Sequence, residues 1–486
     1  MSPRLSDATL AGLPAEVERP GYDRAAVTTG VVHLGIGAFH RAHQAVVFDD
    51  ALRSGDRRWS VLGVSLRSPG VRDQLQPQDG LYSLRVRDGS AETVRIIGAV
   101  RRVLVAPEDP GAVVVAMASA DVHLVTLTVT EKGYRLDPAT GALIQTDPDI
   151  LADIADPARP RTAPGFLVAA LAERRRRGLP PFTVISCDNL PHNGARVRAA
   201  VLGLAERIDP DLAAWIAEQG AFPATMVDRI VPATTPDDIA ALTERLGVED
   251  AGMVKTEPFT QWVIEDRFAG PRPDFAALGV QLTGAVAPWE DAKLRLLNGA
   301  HSAIAYLGGL AGHDFVHRVV GETAFAAFVE RLWDEAQTTL NPPPGLDIPA
   351  YRAALMARFR NEALQHRTRQ IAMDGSQKLP QRLLATMADC LAANQGIDAL
   401  ALAVAGWIRW QAGVTETGET FVVDDPLADR LRDCLAGAAT VEARVQAVID
   451  RSGVVPPSLA GDMRFAAAVT QALAQIESRG VLTAIG

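Results

Sequence analysis

The chain has 486 residues, of which 48% are hydrophobic and 22% charged, with a formal net charge of −10. That length exceeds what one hydrophobic core usually organises, so at least two globular domains are expected. The acidic balance excludes nucleic acid or an anionic membrane surface as a standing partner and leaves room only for a local basic pocket. Cys187, Cys390 and Cys434 are widely spaced, show no zinc-like pattern and fit a reducing cytoplasm. The segment from Met1 to Asp7 lacks the apolar core of a signal peptide, and no run of about 18 apolar residues occurs. A cytoplasmic protein acting on a small molecule is the expectation, with its oligomeric state open and a monomer included.

In chain order, residues 1–30 read as a surface leader interrupted by Pro14, Pro20 and Gly21. The first strong pattern, VHLGIGAFHRAHQ at 32–44, is a short apolar strand running through Gly35 and Gly37 into a helix that continues through Asp49, Asp50 and Leu52. This is the setting of a dinucleotide site: Gly35 would make the tight turn, and Gly37 would let the backbone approach a pyrophosphate at the helix N-terminus. The third glycine of that fingerprint is absent, because His40 stands in its place. Residues 59–66 predict the second strand. It is followed by Arg67 rather than the acid that NAD enzymes commonly use for the ribose, so NAD is expected without excluding NADP.

Residues 93–105 give a further strand pattern, and residues 122–130 an almost pure strand ending in Glu131-Lys132-Gly133-Tyr134. A helix over 165–178 closes on the arginine run 174–177, read as a solvated helix end. The strand Phe182–Ser186 delivers Cys187-Asp188-Asn189 at its end; Asn189 suits a site role, and Cys187 reads as a buried structural thiol. Strands alternating with helices imply an α/β fold with a doubly wound, mostly parallel sheet. Further strand-like pieces fall at 222–230, where Asp228 adjoins Arg229, and at 257–265 and 280–282.

From about 286 the pattern turns helical, over 293–310, 321–340, 347–366, 380–394, 398–411 and 462–478. The boundary is therefore placed between an N-terminal dinucleotide-binding domain, 1–285, and a mainly helical domain, 286–486. At the start of the second part stand Glu290, Lys293, Asn298 and His301. Only four of the 48 basic residues are lysines, at 132, 255, 293 and 378. Arginine stays protonated, whereas a buried lysine can release its proton near neutrality, so lysine here hints at proton transfer. Hydride transfer needs a group that exchanges the hydroxyl proton and donors that hold a developing alkoxide; Lys293, Asn298 and His301 offer both. His40 and His43 share a helix face, but no carboxylate or cysteine completes a metal set nearby, so no metal is expected.

The segments VHLGIGAFHRAHQA, TLTVTEKGY, SCDNLPHNG, FPATMVDRIVPA, EPFTQWVIEDRF and KLRLLNGAHSAIAYLG together resemble the polyol-specific long-chain dehydrogenase/reductase family. That family includes mannitol 2-dehydrogenase, arabinitol dehydrogenase, fructuronate reductase and tagaturonate reductase. The resemblance covers nearly the whole chain. It implies a Rossmann-like N-terminal domain, a helical C-terminal domain, a nicotinamide cofactor and no metal. It also implies that Lys293 is the general acid/base, within a K-x-x-x-x-N-x-x-H pattern. Asn189 and Asn298 would then be hydrogen-bond donors at the reacting oxygen, His301 would orient the substrate, and Glu290 would relay the proton. Asp228 and Lys378 match pocket positions, and Gly35, Gly37, Phe39, Arg67 and Glu131 are the candidate cofactor contacts.

Within the family, HRTRQIAMDGSQKLPQRLL at 366–384 resembles fructuronate reductase, whereas mannitol dehydrogenases typically carry arginine where Gln370 stands. A uronate has a carboxylate that mannitol lacks, and Arg367, Arg369 or Lys378 could pair with it. The segments LPHNG and Phe315-Val316-His317 suit mannitol dehydrogenases equally well. The expectation is an NAD(H)-dependent reductase converting D-fructuronate to D-mannonate. The alternatives are mannitol 2-dehydrogenase or another polyol/ketose dehydrogenase and, remotely, a dinucleotide sensor without turnover.

Overall fold

The computed structural model describes residues 2–138 and 140–486. The chain divides into two compact units, the first ending at Ala287 and the second spanning Pro288–Gly486. No helix among the described residues is long and apolar enough to cross a membrane.

The strands of the first unit, in chain order, are β1 (Thr29–Leu34), β2 (Ser60–Ser65), β3 (Tyr82–Asp88), β4 (Ala91–Ile97), β5 (Val100–Val105) and β6 (Leu124–Leu127). They continue with β7 (Thr183–Ser186), β8 (Thr225–Asp228), β9 (Val254–Thr256), β10 (Gln261–Glu265) and β11 (Gln281–Thr283). The main sheet has the order β5-β2-β1-β6-β7, and every neighbouring pair is parallel. Counted within the sheet this is 3-2-1-4-5, the order of a doubly wound dinucleotide-binding sheet without its sixth strand. The order reverses between β1 and β6, which makes the carboxyl ends of those strands the topological switch point.

The strands are apolar throughout because both faces are covered. On β1, Val32 and Leu34 face one layer with Phe166, Leu171 and Val201, while Val31 faces the other with Phe48, Leu52 and Trp262. Successive side chains of a strand alternate in this way. Helices of this unit open with a side-chain cap followed within two residues by proline: Asp109, Asp147, Thr162, Asp209 and Thr235 each accept a first-turn N–H.

Three expectations change. The strand pattern over 93–105 is two strands in different sheets, since β4 belongs to the small sheet β4-β3-β9 and β5 to the main one. Gly98 makes the corner. Its N–H donates to the buried Asp49 carboxylate at 2.9 Å, and a Cβ there would lie 2.8 Å from Pro20. The leader is partly core, because Leu5, Leu13 and Val17 are buried against Leu242, Leu246 and Met253. The arginine run is not uniformly solvated either. Arg174 is buried, donating to the carbonyls of Ser119, Val122 and Pro180, whereas Arg176 and Arg177 pair with Glu173 at the surface.

Among the described residues the second unit carries helices only, apart from isolated bridges. They include Thr323–Gln337, Ile348–Arg360, Ala385–Ala392, Asp398–Trp410 and Met463–Arg479. The helix expected to begin at 293 starts earlier, as Ala287–Ala292, and continues through a π-helical turn at Lys293–Asn298. The α-helical turn Gly299–Ala303 and a second π turn at Ile304–Gly308 extend it further. The half-buried Glu335 carboxylate accepts the N–H groups of Ala399 and Leu400 at 2.8 and 2.9 Å, supplying the cap that Ile397 cannot.

His33 on β1 is fully buried, with Nδ1 2.7 Å from Thr126 Oγ1 and Nε2 2.9 Å from Thr128 Oγ1. Burial lowers its pKa to about 3. Because the folded pKa lies below the unfolded one, this contribution is complete above about pH 6.5 and is lost as pH falls toward 3. At pH 5 the His33 share amounts to about 2 kcal/mol. Thermal unfolding followed between pH 7 and 5 is expected to show this loss, with a shallower slope for His33→Gln.

Candidate functional site

The turn after β1 is built around Gly35, whose φ of +92° admits glycine and whose added Cβ would lie 2.2 Å from the Thr128 carbonyl. The N–H groups of Gly35 and Ile36 donate to Val64 O at 2.9 and 3.2 Å, and Thr128 Oγ1 donates to Gly35 O at 2.8 Å. β1, β2 and β6 are thereby tied together at the switch point. Gly37 differs. It precedes the helix Ala38–Ala42, and a Cβ added there would meet only Gly35 O, at 3.8 Å. Such open space in front of a glycine at a strand–helix turn is what a pyrophosphate requires, so these residues fit a dinucleotide. At the place of the missing third glycine, His40 is fully buried and stacks on His33 with 3.4 Å between ring centroids. A flat ring laid on its neighbour keeps the close helix–strand approach that the glycine otherwise serves.

At the end of β6, Thr130 takes φ +66°, ψ 166°, a region essentially reserved for glycine. The conformation is held by Asp188, just past β7. Its carboxylate accepts from the N–H of Val129 at 3.1 Å and of Thr130 at 2.8 Å, and from Tyr134 Oη at 2.5 Å. Burial raises the Asp188 pKa against these three donors. Glu131 follows on the surface, 3.5 Å from Arg196, and Phe39 stacks on His43. Burial, then the neighbouring Asp188, pushes the Cys187 thiol well above its ordinary pKa, so it is an inert core group.

Beyond the ends of β2 and β5 lies a cavity of about 630 Å³ whose lining includes Arg67, Ala106, Asp149, Arg159, Arg161 and Phe166. Arg135, also on this wall, is paired with Asp147 and Asp149. Asn189 stands past the end of β7, and Asp228 closes β8 with 5% exposure.

In the second unit the structure brings Lys293, Asn298 and His301 onto one short stretch of helix. In the π turn the N–H of Gly299 reaches back five residues to Leu294 O. Hydrogen bonding from i to i+5 brings residues 293 and 298 toward one face of the helix, and His301 follows three residues later on the α-helical turn. Lys293 and His301 are each 8% exposed, and Glu290 stands three residues before the lysine, half-buried. Trp333 Nε1 donates to Leu296 O at 2.8 Å, satisfying a carbonyl within the widened turn. Phe359 lies 4.7 Å from the His301 ring and His366 5.2 Å from it. His301 Nε2 is buried without a hydrogen-bond partner. Burial, with smaller contributions from His366, Arg358 and Arg382, lowers the His301 pKa well below its ordinary value, so the ring is neutral.

The three proposed carboxylate partners are placed differently. Arg369 pairs with Glu419 and lies over Phe421, and Arg367 is exposed and lies over Phe315. Lys378 donates to the carbonyls of Met373 and Ile371, with Asp374 3.8 Å away. Arg382, four residues on, escaped the sequence reading although it stands in the same quoted segment. It belongs to a π turn at Pro380–Leu384, and a Cβ on Gly299 would come within 3.0 Å of its carbonyl.

Two family models match, the mannitol dehydrogenase Rossmann domain over residues 29–277 and the mannitol dehydrogenase C-terminal domain over 285–477. The chain belongs to the mannitol dehydrogenase family. It is an oxidoreductase of that family, and its fold is the Rossmann-like α/β unit followed by a helical one. It is 44% identical to the uncharacterized oxidoreductase YeiQ of Escherichia coli (strain K12), over 97% of each chain. It is 43% identical to the D-mannonate oxidoreductase of the same organism, over 96% of each chain. The Pseudomonas fluorescens mannitol 2-dehydrogenase, solved as a ternary complex with NAD and D-mannitol, is 36% identical with a TM-score of 0.84. That match covers 99% of this chain and 98% of the other.

Asp188 was also missed, although it adjoins Asn189 in the Ser-Cys-Asp-Asn segment. Replacing it with alanine leaves buried donors unsatisfied, at about 1–3 kcal/mol for such a group. Asp188→Ala is therefore expected to lower stability by at least about 2 kcal/mol in denaturant unfolding, with a smaller loss for Asp188→Asn.

Proposed function

We propose that this protein is a nicotinamide-dependent, metal-independent oxidoreductase that interconverts a keto-sugar acid and its hydroxy acid, with D-fructuronate and D-mannonate as the pair and NAD(H) as the cofactor. One observation carries the sugar-acid reading: Arg382, which donates to Ser302 next to His301, has no carboxylate partner among the described residues. A neutral polyol brings nothing to balance such a site, whereas an anionic substrate does.

The bound nicotinamide supplies or accepts the hydride. The chain's own groups manage the proton and the oxygen. In reduction, protonated Lys293 gives a proton to the ketone oxygen as the alkoxide develops; in oxidation the free amine takes it back. Asn298, brought toward the face of Lys293 by the π turn, holds the same oxygen through its amide N–H. Neutral His301 offers Nε2 to a substrate hydroxyl, which also gives that buried nitrogen its missing partner. Glu290 passes the proton to solvent. Asn189 and Asp228 are proposed as substrate contacts on their motifs alone.

A second cofactor reading rests on the cavity past β2. Arg67 stands where an NAD enzyme usually places an acid, and Arg67, Arg159 and Arg161 line one cavity, a surface that also suits a 2′-phosphate.

Nicotinamide absorbance with D-fructuronate, D-tagaturonate, D-fructose and D-mannitol against both cofactors tests the reading. The highest kcat/KM is expected with D-fructuronate; clear preference for fructose over both uronates would overturn it. Lys293→Ala is expected to lower kcat by at least about a hundredfold and to leave dinucleotide binding, followed by nicotinamide fluorescence, unchanged. If NADPH is used, Arg67→Ala should weaken it about tenfold, a change of ~1.4 kcal/mol, and spare NADH.

A further inference from the structure

We propose that Arg382 is the residue that binds the substrate's carboxylate and so sets the preference for sugar acids over neutral polyols. The inference rests on the sugar-acid reading above and names the group that would enforce it. Arg382 lies in the π turn Pro380–Leu384, which backs onto the Lys293–His301 segment where Gly299 permits close approach. Its guanidinium is withdrawn from water, and desolvation is what dominates its environment. Its hydrogen bond runs from Nη1 to Ser302 Oγ at 3.2 Å, next to His301. No carboxylate among the described residues forms an ion pair with it.

A desolvated cation without an anion is costly, and a fold that retains one has a use for it. Arginine cannot escape the cost by giving up its proton. The remaining N–H groups of the fork suit a carboxylate, which a guanidinium binds through two parallel hydrogen bonds. Neighbouring candidates are already engaged: Lys378 holds two backbone carbonyls and has Asp374 beside it, and Arg369 is paired with Glu419. Of the carboxylates nearest in sequence, Asp389 pairs with Arg295 and Asp374 stands beside Lys378, while Asp425 is committed to the N–H and hydroxyl of Ser376, at 2.7 and 2.5 Å. D-Fructuronate carries its carboxylate at the end of the chain away from the ketone. A site for that end is therefore separate from the proton donor, and Arg382 supplies it adjacent to His301.

The test combines kinetics and equilibrium binding on wild type, Arg382→Gln and Arg382→Lys. Arg382→Gln is expected to raise KM for D-fructuronate about thirtyfold, with kcat within about threefold and activity on D-fructose unchanged or higher. Arg382→Lys should recover part of the loss. The melting temperature of Arg382→Gln should not fall, because the variant removes a half-buried charge that has no carboxylate partner. Equal losses on uronate and fructose, or a fall in melting temperature of the same rank, would show a structural role and overturn the proposal. Titration of D-mannonate and D-mannitol separates this inference from the substrate reading. If the wild type binds mannonate more tightly and Arg382→Gln abolishes the difference, the carboxylate site stands whichever ketose is turned over. An unchanged difference in the variant, or none in the wild type, overturns it.

Discussion

Five residues separate Lys293 from Asn298, and in an α-helix that spacing turns the second side chain about 140° away from the first. A lysine and an asparagine proposed to serve one oxygen cannot be presented that way. The π turn solves the geometry by lengthening one turn, and the surrounding residues answer its consequences. Trp333 takes up the Leu296 carbonyl, Gly299 removes the side chain that would hold the neighbouring helix off, and another π turn, at Pro380–Leu384, lies against the first. π turns are rare and concentrate at functional sites because their hydrogen bonding is poorer than that of the α-helix they interrupt. Here the poorer winding is what aligns the proposed proton donor with its hydrogen-bonding partner.

The first unit stores its strain at a comparable place. Thr130, at the carboxyl end of β6, occupies a backbone region that costs about 1–3 kcal/mol for a residue with a side chain. It is retained because a single buried carboxylate, Asp188, fixes two consecutive N–H groups and the Tyr134 hydroxyl. On the other side of the same switch point, Gly35 is locked through Thr128, which in turn contacts His33. Since Thr128 donates to Gly35, His33 Nε2 must be the donor to Thr128, which fixes the neutral tautomer at the foot of the turn. The rim of the dinucleotide turn is thus held by side chains from β1, β6 and the segment after β7, and its rigidity is a property of the sheet rather than of the loop.

Much of this was legible in the sequence, for identifiable reasons. The apolar runs of β1, β2, β6 and β7 announced a sheet covered on both faces, and Gly35 and Gly37 marked the turn, because strand periodicity and glycine placement are local signals. The split of residues 93–105 into two strands was not legible, since the corner at Gly98 depends on Asp49 and Pro20, distant in sequence. Arg174 looked like its three solvated neighbours because burial of one arginine among four is decided by Ser119, Val122 and Pro180. In the second unit the helix over 293–310 was visible from its period, but a π turn leaves the apolar period nearly intact and so hides in it. Lys293, Asn298 and His301 were found by residue type. Arg382 was not, since its isolation from carboxylates is a fact about what surrounds it.

That isolation bears on why one fold can serve both neutral polyols and sugar acids. A polyol offers hydroxyl groups, which satisfy His301 Nε2 and amide donors but leave a guanidinium as costly in the complex as before. A sugar acid satisfies the same hydroxyl contacts and cancels the charge as well. With Arg382 in the proposed role, discrimination would arise less from contacts that reject the polyol than from a cost present in the free protein that only the acid relieves, which is the asymmetry expected when a desolvated polar group is left unpaired by the wrong ligand. On this view the change from polyol to sugar-acid chemistry leaves the Lys293–His301 helix untouched. It needs only a cation on the adjoining π turn with no carboxylate of its own, so the proton machinery and the substrate choice sit on different helices and can vary separately.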